Sequence, residues 1–137
     1  MSDTDLIKTR GYIEASDKNF IYKTWLRGLY YGDDWVGEIQ DSIFYPNYND
    51  VIDEIFSRPT VQINMAVLKD DEDVILGYSV SEPLNSVLHW VFVKKSWRRI
   101  GIAKMLIDFE PSIVTHLTFV GKSLKNRYNL IFNPFLT

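Results

Sequence analysis

Cysteine is absent from the 137 residues. That excludes disulfide scaffolds, thiolate metal knuckles and cysteine nucleophiles together, and it suits a reducing compartment, so a cytoplasmic location is expected. Long apolar runs are missing too. Residues 60–68 and 87–93 fall well short of the ~18–20 apolar residues that a membrane-spanning helix needs. The polar, acidic start Ser2-Asp3-Thr4-Asp5 lacks the basic and then apolar order of a secretory signal. A soluble protein with no membrane partner is the expectation. Excess charge of one sign is equally lacking: 18 acidic against 15 basic side chains leave a formal net charge of -3. Phosphate backbones find no global attraction here, so nucleic acid is not an expected partner. No Pro, Ser or Gly linker, repeat or low-complexity tract divides the chain. A single domain over 1–137 is therefore expected, and 46% hydrophobic and 15% aromatic residues supply its core.

The hydrophobic pattern alternates between strand and helix. Residues 6–15 carry β-branched and aromatic side chains and end at Ser16-Asp17, a capping pair for a helix over about 19–31. After Gly32-Asp33-Asp34 and an irregular aromatic stretch, Asn47 or Asn49 caps a second helix through Val51, Ile52, Ile55 and Phe56, stopped by Arg58-Pro59. From Thr60 the period becomes two up to the acidic turn Asp70-Asp71-Glu72-Asp73, and residues 74–80 supply the partner strand. That turn has the composition of a calcium loop without its spacing or glycine, so no metal is expected. Residues 81–86 turn the chain into a third strand, 87–93, apolar on both faces and therefore central. Ile102, Ala103, Met105, Leu106, Ile107 and Phe109 form a helical stripe ended at Pro111, followed by a strand at 114–120 and a short helix around 123–131. The order is β-α-α-β-β-β-α-β-α. A strand-helix-strand unit over 87–120 demands a parallel pair, which makes the fold mixed α/β with helices on both faces.

Chemistry concentrates in residues 91–106, a buried strand that runs through a basic loop into a helix. Lys94, Lys95, Arg98, Arg99 and Lys104 gather positive charge on an otherwise acidic protein. Small residues at Gly101 and Ala103 let a ligand approach helix-start amides that have no intrahelical partner, the chemistry that holds a phosphate or pyrophosphate. The spacing Arg98-x-x-Gly101-x-Ala103 after the Val91-x-Val93 strand resembles the acyl-CoA pyrophosphate signature of the GCN5-related N-acetyltransferase (GNAT) family, Arg or Gln-x-x-Gly-x-Gly or Ala. The element order is similar as well, over nearly the whole chain and with a shortened C-terminal end. The helix Phe20-Ile21-Tyr22-Lys23-Thr24-Trp25-Leu26-Arg27, the strand His89-Trp90-Val91-Phe92-Val93-Lys94 and the ending Asn133-Pro134-Phe135-Leu136 resemble small bacteriophage-encoded acetyltransferase-like proteins, which would place the chain in host cytoplasm.

The resemblance implies an activity and a division of labour. Acetyl-CoA is the implied cosubstrate, with no metal, and its acetyl group passes to a primary amine by direct attack. Main-chain groups of Val91 and Val93 would bond the pantetheine arm. Arg98 and the amides of Arg99, Ile100, Gly101, Ile102, Ala103 and Lys104 would hold the pyrophosphate. Many members carry an Asn, then a small residue three later and a Tyr seven later; these positions read Gly121, Leu124 and Tyr128. The Tyr128 phenol is the implied general acid for the departing thiolate. His89 is the base candidate on the central strand, although a histidine in an apolar strand is usually a hydrogen-bonded structural residue, as is expected of His116. Trp97 is placed to flank the cofactor, and Asp33, Asp34, Glu38 and Asp41 to attract a cationic amine. The rival expectation is a non-catalytic module on the same fold that contacts a host or virion protein. An unpaired sheet edge near 131–136 would allow a homodimer in either case.

Overall fold

A computed structural model describes residues 3–33, 35–116 and 127–137. The strands are β1 (Ile7–Gly11), β2 (Gln62–Leu68), β3 (Asp71–Glu82), β4 (Val87–Val93), β5 (Ile113–Val114) and β6 (Ile131–Phe132). The helices are α1 (Glu14–Gly32), α2 (Asp41–Phe56) and α3 (Ile102–Leu106). The described strands lie in chain order in one six-stranded sheet. β1 to β4 pair antiparallel, whereas β4–β5 and β5–β6 are parallel. Both faces of the sheet are apolar and both are covered. On one, Ile21 and Trp25 of α1 and Phe44, Ile52 and Ile55 of α2 meet Met65, Val67, Tyr78 and Trp90. On the other, Ile102 and Leu106 of α3 meet Ala66, Leu76, Leu88, Val91 and Val93. The mixed α/β sheet with helices on both faces is the architecture that the sequence predicts.

Several boundaries differ from the sequence pattern, each for a tertiary reason. β1 stops at Gly11 and α1 begins at Glu14, so Ser16-Asp17 lie inside the first turn instead of capping a helix from 19. Arg10 forks onto the Asp17 carboxylate at 2.7 and 2.9 Å. The same carboxylate accepts the Ile13 amide at 2.8 Å and the Ser16 hydroxyl at 3.1 Å. Burial pushes the Asp17 pKa up, but these donors outweigh it and hold the group below its ordinary value. α2 starts at Asp41, ahead of both Asn47 and Asn49. The aromatic stretch before them is helical because it packs on α1: the Tyr30 ring lies 5.0 Å from Phe44 and 5.5 Å from Tyr45, and Phe44 stacks on Tyr48 at 5.5 Å. Pro46 cannot donate to the Ser42 carbonyl one turn back, and Asn47 Nδ2 donates to the next carbonyl along, that of Ile43, at 2.7 Å.

The β2–β3 turn is shorter than expected, and Asp71, Glu72 and Asp73 belong to β3, where Glu72 pairs with Lys8 at 2.5 Å. β3 also continues through Ser81 and Glu82, two residues expected in a turn. α3 ends at Leu106 rather than near Phe109. Its last carbonyl is taken by side chains of the sheet, Asn64 Nδ2 at 2.9 Å and Ser79 Oγ at 3.2 Å, which competes with continuation of the helix. Of the expected strand at 114–120, residues 117–120 lie outside the described residues, as do 123–126 of the expected last helix. Ile131, the expected end of that helix, pairs in β6: its amide donates to Ser112 and that of Asn133 to Val114, both at 2.9 Å.

Two features of β4 fix its course toward the basic loop. Val80 faces Trp90 but Ser81 faces Leu88, so His89 is the extra residue of a bulge that bends the strand. Trp90 also stacks on Trp25 at 5.2 Å with an 8° interplanar angle, and a Cβ at Gly28 would lie 3.3 Å from the Trp90 ring. On the neighbouring strand, a Cβ at Gly77 would sit 2.5 Å from the Phe92 carbonyl oxygen, and backbone there has nowhere to go. Gly77→Ala is therefore expected to destabilise the fold by about 1–3 kcal/mol, read as a lowered midpoint in urea unfolding. An unchanged midpoint would show that β3 and β4 can separate at that point.

Candidate functional site

The basic loop leaves β4 at Val93 and enters α3 at Ile102. Gly101 caps the helix with φ +94°, and Arg99 is left-handed as well at φ 69°. Only glycine adopts the first without strain, and nothing lies within 4 Å of where a Gly101 Cβ would be. The space beside the first amides of α3 is open. Lys95, Arg98, Arg99 and Lys104 are exposed and Lys94 is half-buried, with no acidic residue between 94 and 107. Arg98 is tied back, its Nε donating to the Val93 carbonyl at 3.0 Å. Lys94 Nζ sits 5.5 Å over the Phe20 ring. Among the described residues, pairing of β4 with β5 is confined to Val87 and Leu88.

Val91, Val93 and Ile102 belong to one apolar cluster, and Trp97, Ile100, Ala103 and Tyr128 pack against it. The fold thus brings the loop and Tyr128 to the same side of the sheet. Tyr128 is half-buried, with the Arg127 guanidinium 5.9 Å from its ring. Gly121 and Leu124 lie outside the described residues.

His89 is elsewhere. It is fully buried, with Nε2 2.5 Å from Glu82 Oε2 and Nδ1 3.0 Å from Thr115 Oγ1. Glu82 also accepts Thr60 Oγ1 at 2.5 Å and Arg58 Nη1 at 2.9 Å. Thr115 Oγ1 in turn lies 2.8 Å from His116 Nδ1, and His116 Nε2 is hydrogen-bonded to the Tyr48 hydroxyl. Glu82, His89, Thr115, His116 and Tyr48 therefore form a continuous buried chain. Burial pushes the His89 pKa down against the pull of Glu82. The same cause takes His116 to about 3. Burial raises Glu82, but Thr60, His89 and Arg58 outweigh it and leave the carboxyl near 2. Both histidines are neutral and Glu82 is charged at neutral pH.

The sequence pattern singles out the loop and Tyr128 but not this chain. Glu82 reads as a turn residue, Thr115 as an ordinary strand residue, and Tyr48 as one of eight tyrosines. Only the two histidines, the whole complement of the protein, are a signal, and their separation conceals that they share a threonine. Of the acidic residues near the aromatic stretch, Asp33 accepts the Trp35 amide at 3.1 Å and ends α1. Glu38 and Asp41 are exposed, and Asp34 is outside the described residues. The loop that carries them is pinned by Tyr30, whose hydroxyl donates to the Ile39 carbonyl at 2.9 Å.

No protein-family model and no curated protein sequence matches the chain. Solved structures do. The aminoglycoside N-acetyltransferase AAC(6')-Iy in complex with CoA aligns over 91% of this chain and 88% of its own, with a TM-score of 0.52 and 13% identity. The chain has the GNAT fold. The aminoglycoside acetyltransferase meta-AAC0020, from an uncultured soil metagenomic sample and in complex with sisomicin, is similar over 91% of this chain and 87% of its own, at 0.51 and 18% identity. At such identities the likeness is one of GNAT architecture, in which the described elements of this chain find their counterparts without a shared sequence.

The buried histidines make stability depend on pH. In the unfolded chain a histidine takes up its proton near 6.5, whereas folded His116 stays neutral down to about 3 and folded His89 is also held below 6.5. Unfolding then binds protons, so their contribution is complete above pH 6.5 and is lost as the pH falls, for His116 down to about 3. Glu82 adds a second loss between its ordinary 4.5 and its folded value near 2. Unfolding free energies should fall below pH 6.5 by about 1.4 kcal/mol per pH unit through His116, with a further loss in the same direction from His89. A flat profile from 6.5 down to 4.5 would mean that both rings are protonated inside the fold.

Proposed function

We propose that the chain is an N-acetyltransferase that moves the acetyl group of acetyl-CoA to a primary amine by direct attack. The observation that carries this reading is the loop between β4 and α3, at the place in a GNAT fold where the Arg98-x-x-Gly101-x-Ala103 spacing points to a pyrophosphate. The residues there fit such a group: a left-handed glycine with open space at its Cβ position, and five cations with no acid among them. α3 is only five residues long, so its dipole contributes little. The attraction comes from individual amides and basic side chains.

Coenzyme A supplies an activated acetyl thioester when bound. The amides of Gly101, Ile102, Ala103 and Lys104, helped by Arg99, bind the pyrophosphate. Main-chain groups of Val91 and Val93, on the half of β4 beyond its described pairing with β5, hold the pantetheine arm. Tyr128, packed against the same cluster, donates its hydroxyl proton to the departing sulfur, and the proton lost by the acylated nitrogen restores the phenol. The protein's main contribution is positioning. His89 has both ring nitrogens engaged inside the fold, and its part is to hold the buried chain in place rather than to meet the amine. Amine-bearing small molecules are the acceptor class this reading favours, because the two GNAT-fold proteins compared above are aminoglycoside acetyltransferases.

A second reading keeps the fold without turnover, as a module that binds a host or virion protein or a second copy of the chain in the cytoplasm. Exposed apolar residues around β6 favour it: Ile131 is 66% and Phe135 93% exposed. Calorimetric titration with acetyl-CoA separates the two. The enzyme reading expects binding at micromolar strength, about −8.2 kcal/mol, abolished in Gly101→Glu, which puts bulk and negative charge against the pyrophosphate. Tyr128→Phe should leave that affinity intact and lower turnover by about 10²–10⁴-fold. Absence of binding by the native protein would sink the enzyme reading. Light scattering that finds a dimer broken by Phe135→Asp would then support the module.

A further inference from the structure

A cleft outside the site already described opens at the start of β4, between the turn Pro83–Asn85 and the turn Pro134–Leu136. It holds about 390 Å³, the size of a small-ligand site. Val87 lines it and Val93 enters the basic loop, so about 20 Å of strand separates the two places. Val87, Phe135 and Leu136 supply apolar walls, and Arg58, Glu82 and Asn85 supply polar ones. Leu84, beside Asn85 in its turn, is 86% exposed, and Ile131, Phe132, Phe135 and Leu136 are exposed as well. Apolar side chains left in water around a cleft mark a binding surface. This one continues past the cleft through Leu84 in one turn and through β6, which leads into the other, further than one side chain reaches.

The polar groups decide what can enter. Arg58 donates through Nε and Nη2 to Glu54, and through Nη1 to Glu82 and to the Leu136 carbonyl. A guanidinium has five N–H groups, so one on Nη2 is left. Glu82 already accepts from Thr60, His89 and Arg58. The Asn85 side chain is exposed and has no partner among the described residues, and its carboxamide both donates and accepts. An incoming carboxylate finds the Arg58 charge outweighed by Glu54 and Glu82, and an incoming ammonium finds Glu82 buried behind Arg58. An uncharged peptide unit is matched, with its N–H to Asn85 Oδ1 and its carbonyl to the remaining Arg58 N–H or to Asn85 Nδ2. Arg58 holds the Leu136 carbonyl in the same manner at 3.0 Å. We propose that this cleft is a second binding site, for an uncharged peptide segment whose apolar side chain enters between Val87, Phe135 and Leu136 while Asn85 and Arg58 take its backbone. The site does not rest on acetyl transfer, because none of these residues belongs to the basic loop or to the cluster that carries Tyr128.

The test is a titration of the ¹⁵N-labelled native protein with acetyl-Ala-Leu-Ala-amide, uncharged at both ends and followed in ¹H–¹⁵N spectra. The peptide should shift the Asn85 side-chain signal and the backbone amides of Val87, Phe135 and Leu136, and leave that of Gly101 in place. Acetyl-Ala-Gly-Ala-amide, the same backbone without the apolar side chain, should bind at least about tenfold more weakly. N-acetyl-leucinamide should bind more weakly than the leucine tripeptide, and its charged relatives N-acetyl-leucine and leucinamide more weakly still. Asn85→Ala, an exposed change that leaves the fold intact, should weaken the tripeptide by about three- to tenfold. A glycine peptide that binds as well as the leucine one, a charged relative that binds better than the neutral amide, or an Asn85→Ala protein that responds like the native one would each overturn the proposal. A single amide that binds as tightly as the tripeptide would overturn its assignment to a chain. Absence of the expected shifts overturns it too, and a dimer seen by light scattering in that case would give the cleft to a second copy. No readout involves acetyl-CoA, so loss of the acetyltransferase reading and loss of this proposal are separate results.

Discussion

A single buried carboxylate organises this molecule. Glu82 ends β3 and gathers Arg58 from beyond α2, Thr60 from the approach to β2 and His89 from the bulge of β4. A charge removed from water is stable only when its lone pairs are filled and its sign is balanced. Arg58 supplies the sign, and the hydroxyl and imidazole fill the remaining positions. Arg58 reaches further, to Glu54 on α2 at 2.5 Å and to the Leu136 carbonyl at 3.0 Å, so the C-terminal end of the chain is fastened to the same charge. Removing Glu82 would leave Arg58 without its buried partner and a histidine without an acceptor, and α2, β4 and the C-terminal residues would lose their common anchor.

β4 connects this anchor to the basic loop. Its first half pairs with β5 and carries the bulge at His89, and its second half leads through Val91 and Val93 into Gly101 and α3. The two faces of the strand divide accordingly: Trp90 and Phe92 belong to the side covered by α1 and α2, and Val91 and Val93 to the side of α3 and Tyr128. The alternation of a strand places the acidic, aromatic region and the cationic loop on opposite faces of one short segment.

The parts legible in the sequence are those written in local pattern. The period-two run of β2, the continuous apolar run of β4 and the basic loop with its glycine appear in the sequence where the fold has them, because each depends on neighbours within a few residues. The start of α2 does not, since Phe44, Tyr45 and Tyr48 become helical through rings stacked on α1, and Pro46 argues locally against it. α3 is cut short by Asn64 and Ser79, some 42 and 27 residues away in sequence. The buried chain from Glu82 to Tyr48 is equally hidden: Thr115 and His116 are adjacent, but their partners lie 26 and 68 residues away. Local pattern identifies helices, strands and loops, and long-range polar contacts decide where they stop and which polar groups share a site.

The four tryptophans fall into three optical environments. Trp25 and Trp90 are stacked, nearly parallel indoles with centroids 5.2 Å apart, and the His116 ring stands edge-on to both. Indoles this close interact when excited, so the absorption and emission of the pair depend on α1 remaining seated on β4. Trp97 lies beside the basic loop and Trp35 is 69% exposed, so these two report on the loop and on solvent. Without any added label, the spectrum of this protein separates the closure of its core from events at its surface.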